Sequence, residues 1–175
     1  MTEQRTALVT GASSGIGRGI ALRLGGKGMR IGLVARRKSR LNEVAQAIAG
    51  RGGQAILFPG DVREPDLAST AVRGIVDAWG RLDVLVNNAG IGKYAPVDEF
   101  SEDSFREQFD TNVYAPFLFT RAAVPQMKKQ KSGQIVNIGS VVGLVGVAHG
   151  TAYVGSKWAL TPDDVARAVE TVVDQ

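Results

Sequence analysis

Five short apolar runs punctuate the chain: TALVT (6–10), RIGLVA (30–35), QAILF (54–58), DVLVN (83–87) and QIVNIGS (134–140). Each is rich in Val, Ile or Leu, and none alternates cleanly with polar residues. A strand with one wet face alternates, so these runs predict strands buried on both faces, as in a parallel sheet covered by helices. Between them the period changes. Ile16, Ile20 and Leu24 recur at fours and are followed by GGKG (25–28), which would stop a helix. Leu41, Val44, Ala45 and Ile48 repeat the pattern up to Gly50, and Leu67, Ala71, Ile75 and Val76 give a third face. Strand, helix, strand at this interval predicts a doubly wound α/β fold, with right-handed crossovers placing helices on both sides of the sheet.

Composition narrows the class. A chain of 175 residues with 44% hydrophobic and 22% charged content, and no low-complexity tract, reads as one globular domain. Its net charge of +4 is dispersed apart from ARRKSR (35–40) and KKQK (128–131), which points away from nucleic acid as a partner. The absence of cysteine excludes disulfides and a Cys nucleophile, and a single histidine, His149, cannot build a metal site, so no metal is expected. The Gly- and Val-rich run 135–150 is interrupted by Asn137 and Ser140 and is too short to span a bilayer. No signal peptide is visible in MTEQRTALVT, and a soluble, cytoplasmic protein without a membrane partner is the expectation.

TGASSGIG (10–17) closes the first strand and opens the first helix. There Gly11 would allow a sharp turn, Gly15 a close approach to a pyrophosphate, and Gly17 tight packing of helix on strand, while the helix N-terminus offers N–H groups to the anion. A glycine pattern alone is weak evidence, and a plain turn is the competing reading. The chain continues with NNAG (87–90), TNV (111–113) inside a long helix, GS (139–140) ending the fifth strand, and YVGSK (153–157). In these five motifs and their order, residues 6 to about 160 resemble the short-chain dehydrogenases/reductases, whose fold is of the Rossmann type.

Tyr153 and Lys157 are four apart, so on a helix they share one face. A phenol is a poor base at neutral pH unless a cation beside it stabilises the phenolate. The resemblance implies that Tyr153 donates a proton to a substrate carbonyl during reduction and recovers it during oxidation. It implies too that Lys157 hydrogen-bonds the nicotinamide ribose, that Ser140 orients the substrate oxygen, and that Asn112 holds a water in the proton relay. Ser13, Ser14 and Ile16 join Gly11, Gly15 and Gly17 in the expected cofactor-binding turn, and Asn88, Ala89 and Gly90 would let the backbone pass close to the cofactor. Asp61 and Val62 resemble the family's adenine contact, although Asp61 could equally cap the next helix. Asn87 is read as a tie between strands.

Cofactor choice should depend on the end of the second strand, where an acid would accept the ribose hydroxyls and arginine would clamp a 2′-phosphate. Here Ala35 stands where an acid would, followed by Arg36 and Arg37, and NADP(H) is expected in preference to NAD(H). The implied function is an NADP(H)-dependent oxidoreductase interconverting a ketone or 3-oxoacyl group and a secondary alcohol. The alternative is a nucleotide-binding module without turnover, produced by truncation. The Val- and Leu-rich loop 141–148 would border the substrate, Trp158 would pack, and a homodimer or homotetramer is implied by resemblance.

After Leu160 the pattern departs from the family. Thr161, Pro162, Asp163 and Asp164 make a second helix start soon after Tyr153, leaving no room for a sixth strand. The expectation is a single dinucleotide-binding domain over 1–175 that lacks the sixth and seventh strands, with an internal segment missing near residue 160.

Overall fold

The computed structural model describes residues 4–159. Five parallel strands, β1 (Thr6–Thr10), β2 (Arg30–Ala35), β3 (Gln54–Pro59), β4 (Val84–Asn87) and β5 (Gln134–Asn137), form one sheet in the order β3-β2-β1-β4-β5. Helices α1 (Gly15–Gly25), α2 (Lys38–Ala49), α3 (Pro65–Trp79), α4 (Glu102–Phe109), α5 (Ala115–Lys129) and α6 (Thr151–Trp158) accompany it. The doubly wound parallel sheet expected from the apolar runs is therefore present, and β1 to β3 begin where the sequence pattern places them. The second helix start at Thr161 and Pro162 and the junction near Leu160 lie outside the described residues.

The unbroken apolar runs are explained by the two cores. Along β1, Leu8 faces one side with Val34, Ile75, Leu85, Phe119 and Met127, where α3 and α5 pack. Its neighbours Ala7 and Val9 face the other with Ile31, Leu33, Val44, Ile48 and Val86, under α1 and α2. Alternation sends successive side chains to opposite faces, and both faces are dry. The chain reverses its direction of winding between β1 and β4, which are paired through Leu8 and Leu85. Such a reversal leaves a crevice at the carboxyl ends of the strands, where open α/β sheets take their ligands.

Two expectations are corrected. The buried stripe of α1 is Gly17, Ala21 and Gly25, one position beyond Ile16, Ile20 and Leu24. Small residues let this helix lie close to the sheet, and Ile16, 65% exposed, points away from it. The fifth strand ends at Asn137 rather than reaching Ser140, which instead heads a short 3-10 turn over Val141–Gly143.

Candidate active site

The crevice is built first from two turns that lock together. After β1 the backbone reaches a positive φ of 65° at Gly11 and 54° at Gly15, conformations that L-residues with a Cβ resist. A Cβ on Gly17 would collide with Asn88 Nδ2 and the Gly11 carbonyl oxygen, so the first turn of α1 needs glycine for close approach. The Thr10 hydroxyl accepts hydrogen bonds from the backbone N–H groups of Asn88 and Ala89, each at 3.0 Å. Asn88 Nδ2 donates back to the Thr10 carbonyl at 2.9 Å. The glycine turn and the NNAG turn thus form one rigid unit. Asn87, as read from sequence, ties strands: its Nδ2 donates to Asn137 Oδ1 of β5 at 2.8 Å.

Beside this unit opens a cavity of about 350 Å³. Gly11, Ser13, Ser14 and Ile16 line one end, Asn88, Ala89, Gly90 and Ile91 another, and Ala35, Arg36, Arg37, Asp61, Val62 and Arg63 the far wall. All but four of the expected cofactor-binding residues line it: Gly15 opens α1 with free space at its would-be Cβ, Gly17 packs behind the wall, and Tyr153 and Lys157 stand on α6. The wall is polar and ionic. Arg37 donates to the hydroxyls of Ser13 (3.3 Å) and Ser14 (3.1 Å), so it braces the glycine turn. The Arg36 side chain is exposed and makes no hydrogen bond or ion pair with any described residue.

Asp61 does not cap α3, whose N-cap is Glu64. Its Oδ1 accepts from the Arg63 N–H at 3.0 Å, and its carboxylate takes the Arg63 guanidinium through Nε at 3.0 Å and an η nitrogen at 2.7 Å. That guanidinium holds the Asp61 carboxyl below its ordinary value, against the opposing effect of burial. The other η nitrogen of Arg63 reaches Glu107 of α4 at 3.3 Å, and Lys93 closes the chain on the second Glu107 oxygen.

At the opposite end α6 brings Tyr153 and Lys157 onto one face, with Lys157 Nζ 6.0 Å from the centre of the Tyr153 ring. Lys157 is buried, donates to the Ile138 carbonyl at 2.9 Å, and has its ammonium pushed below the ordinary lysine value by desolvation. The half-buried Tyr153 ring meets Tyr94 edge-on at 5.5 Å and lies beside Gly92. Asn112 sits on a single π-helical turn, Asp110–Tyr114, that interrupts what the sequence presents as one long helix. The wider turn directs its amide inward. Asn112 Oδ1 accepts from the Ile91 N–H at 2.9 Å, and Nδ2 donates to the Ile91 carbonyl at 2.8 Å and to Ser156 Oγ at 2.9 Å. Oδ1 and Lys157 Nζ both lie within 3.5 Å of where a Cβ on Gly90 would stand. Ser140 caps its 3-10 turn, accepting from the Val142 N–H at 3.4 Å, and that turn abuts the Lys157 backbone at Gly143.

The sequence reading missed Thr10, Arg63, Lys93, Glu107 and Ser156. Thr10 and Ser156 lie inside recognised motifs and Arg63 adjoins one, while Glu107 and Lys93 reach the wall only through the fold. Trp158, expected to pack, is 68% exposed among the described residues. His149, at a φ of 59°, acts as a loop residue whose carbonyl accepts the Ala95 N–H. Among the described residues no cluster could hold a metal, and no helix is long and apolar enough to cross a membrane.

Comparison with protein families matches residues 5–163 to the one described as short chain dehydrogenase. An uncharacterized oxidoreductase of Thermotoga maritima is 40% identical over 156 residues, covering 89% of this chain and 61% of its own. The 3-oxoacyl-[acyl-carrier-protein] reductase FabG of Staphylococcus aureus is 37% identical over 158 residues, or 90% of this chain and 64% of the relative. The chain thus spans less than two thirds of these curated relatives. Among solved structures, a metagenomic short-chain oxidoreductase in complex with NADP superposes with a TM-score of 0.91 at 38% identity, covering 97% of this chain and 78% of that one. An NAD+-bound xylitol dehydrogenase gives 0.90 at 31% identity, covering 97% and 66%.

Proposed function

The chain belongs to the short-chain dehydrogenase family, and from that premise we propose that it is an NADP(H)-dependent oxidoreductase interconverting a ketone or 3-oxoacyl group and a secondary alcohol. The observation that carries this reading is the convergence, around Gly90 and Gly92, of Tyr153, Lys157 and Asn112 at the end of a glycine-walled crevice.

The lining of the cavity has the chemistry a dinucleotide needs. Gly15 has a left-handed backbone and nothing within 4 Å of its would-be Cβ, so the turn leaves open space at a helix N-terminus, a setting that favours a pyrophosphate. Ser13, Ser14, Gly15 and Ile16 would hold it there, Asp61 and Val62 the adenine, and Arg36 the 2′-phosphate, with Arg37 bracing the turn behind. When bound, the nicotinamide supplies or accepts the hydride. The chain's own contribution is placement and proton transfer. Tyr153 gives its hydroxyl proton to the carbonyl oxygen in reduction and takes it back in oxidation. Lys157 supplies the positive charge against which the Tyr153 phenol parts with its proton, and its burial strengthens the interaction by keeping water away. Asn112 spends both Nδ2 protons on the protein but keeps a second acceptor lone pair on Oδ1, which suits it to hold a water of the relay. Ser140, heading the turn packed on α6, would orient the substrate oxygen. Assembly as a homodimer or homotetramer belongs to the same reading, and the exposed Tyr114 and Phe117 offer an apolar surface for it.

Tyr153→Phe tests the assignment. Reduction of a ketone is expected to fall by roughly 10²–10⁴-fold, the usual contribution of a general acid, with NADPH affinity unchanged in a fluorescence titration. Retained turnover would remove Tyr153 from the proton transfer.

A further inference from the structure

Two carboxylates, Asp61 and Glu107, stand on the wall that also carries Arg36. Left unpaired, either would do two things harmful to binding of a phosphate monoester: draw the Arg36 guanidinium into an ion pair of its own, and repel the incoming dianion. Neither is unpaired. Arg63 takes Asp61 with two nitrogens of its fork and Glu107 with the third, and Lys93 takes the remaining Glu107 oxygen. Two acids are thereby matched by two cations. Arg36 lies close enough for its charge to be felt by both carboxylates, yet is bonded to neither.

We propose that Arg63 is a specificity-determining residue, which sequesters Asp61 and Glu107 so that Arg36 stays available for the 2′-phosphate of NADP(H). The inference rests on the NADP(H) reading above and deepens it. Arg63 need not touch the phosphate to act. It removes two competitors for the cation that does. The arrangement also links the cofactor wall to α4, since Glu107 is contributed by that helix.

Equilibrium binding of NADPH and NADH, measured by fluorescence titration at one ionic strength without substrate, separates the inference from the reading beneath it. Wild type is expected to prefer NADPH, and Arg36→Ala to lose most of that preference. Absence of preference in wild type overturns both the reading and the inference. With preference present in wild type, Arg63→Ala is expected to cut the NADPH-to-NADH affinity ratio by about tenfold, because a freed carboxylate now competes for Arg36. Asp61→Asn added to Arg63→Ala is expected to restore much of the ratio, and any shared effect on the adenine cancels in it. An unchanged ratio in Arg63→Ala, or a double variant that restores none of it, overturns the inference. Arg63→Gln, which keeps a hydrogen-bonding amide without the charge, shows the same fall if Arg63→Ala does not fold, and an unchanged ratio there is equally contrary.

Discussion

At the scale of the residue, Lys157 carries the clearest physical signature. A side chain only 7% exposed holds its cationic group against the Ile138 carbonyl, and no described carboxylate pairs with it. Burial lowers its protonation in the native state, while in the unfolded chain it keeps the ordinary value of 10.5. Between the lowered native value and 10.5 the unfolded state therefore binds more protons, and stability contributed by this group rises with pH. Lys157→Met, which keeps the apolar stem and removes the titrating group, is expected to abolish that alkaline rise in the denaturant midpoint and to abolish turnover. Parallel pH profiles for wild type and variant would contradict the assignment of a buried, destabilised cation. The pairing of Tyr153 with Lys157 was legible because a spacing of four fixes one helical face. The Asp61–Arg63–Glu107–Lys93 chain was not, because its members come from different loops and α4, and only the folded sheet brings them together.

At the scale of the element, the glycine turn shows why one motif letter is not equivalent to another. Gly15 needs its conformation and Gly17 needs its size. Gly15→Ala is expected to cost about 1 kcal/mol for a left-handed backbone, with the fold otherwise intact, since no atom stands in the way of the added methyl. Gly17→Ala drives a methyl into Asn88 and the Gly11 carbonyl and is expected to cost more, about 2–3 kcal/mol, while also separating the two turns. Thermal melting of both variants checks the order, and a larger loss for Gly15→Ala would contradict it. The strands were readable from sequence because burial on both faces leaves an unbroken apolar signature. The face of α1 was misread because glycine and alanine form its buried stripe, and small residues carry little hydrophobic signal. The π turn at Asn112 was likewise invisible, as one added residue in a helical turn leaves the apolar spacing almost unchanged.

At the scale of the whole molecule, the order β3-β2-β1-β4-β5 sets the dinucleotide crevice over β1 and its neighbours and the α6 residues at its far end. Topology thus joins a glycine turn near residue 15 to a phenol at residue 153. The alternation of apolar runs and helical faces foretold a doubly wound parallel sheet, whereas the pairing of Asp61 and Glu107 with Arg63 and Lys93 on the cavity wall had to be seen in place. The chain spans 61% of its Thermotoga relative, and catalysis is to be tested on this chain itself. NADPH consumption by the purified chain, followed spectrophotometrically across a panel of ketones and 3-oxoacyl thioesters, supplies the test. Saturable NADPH oxidation with at least one member of the panel is expected, whereas tight NADPH binding with no consumption of it by any member would contradict a catalytic role and leave a nucleotide-binding module.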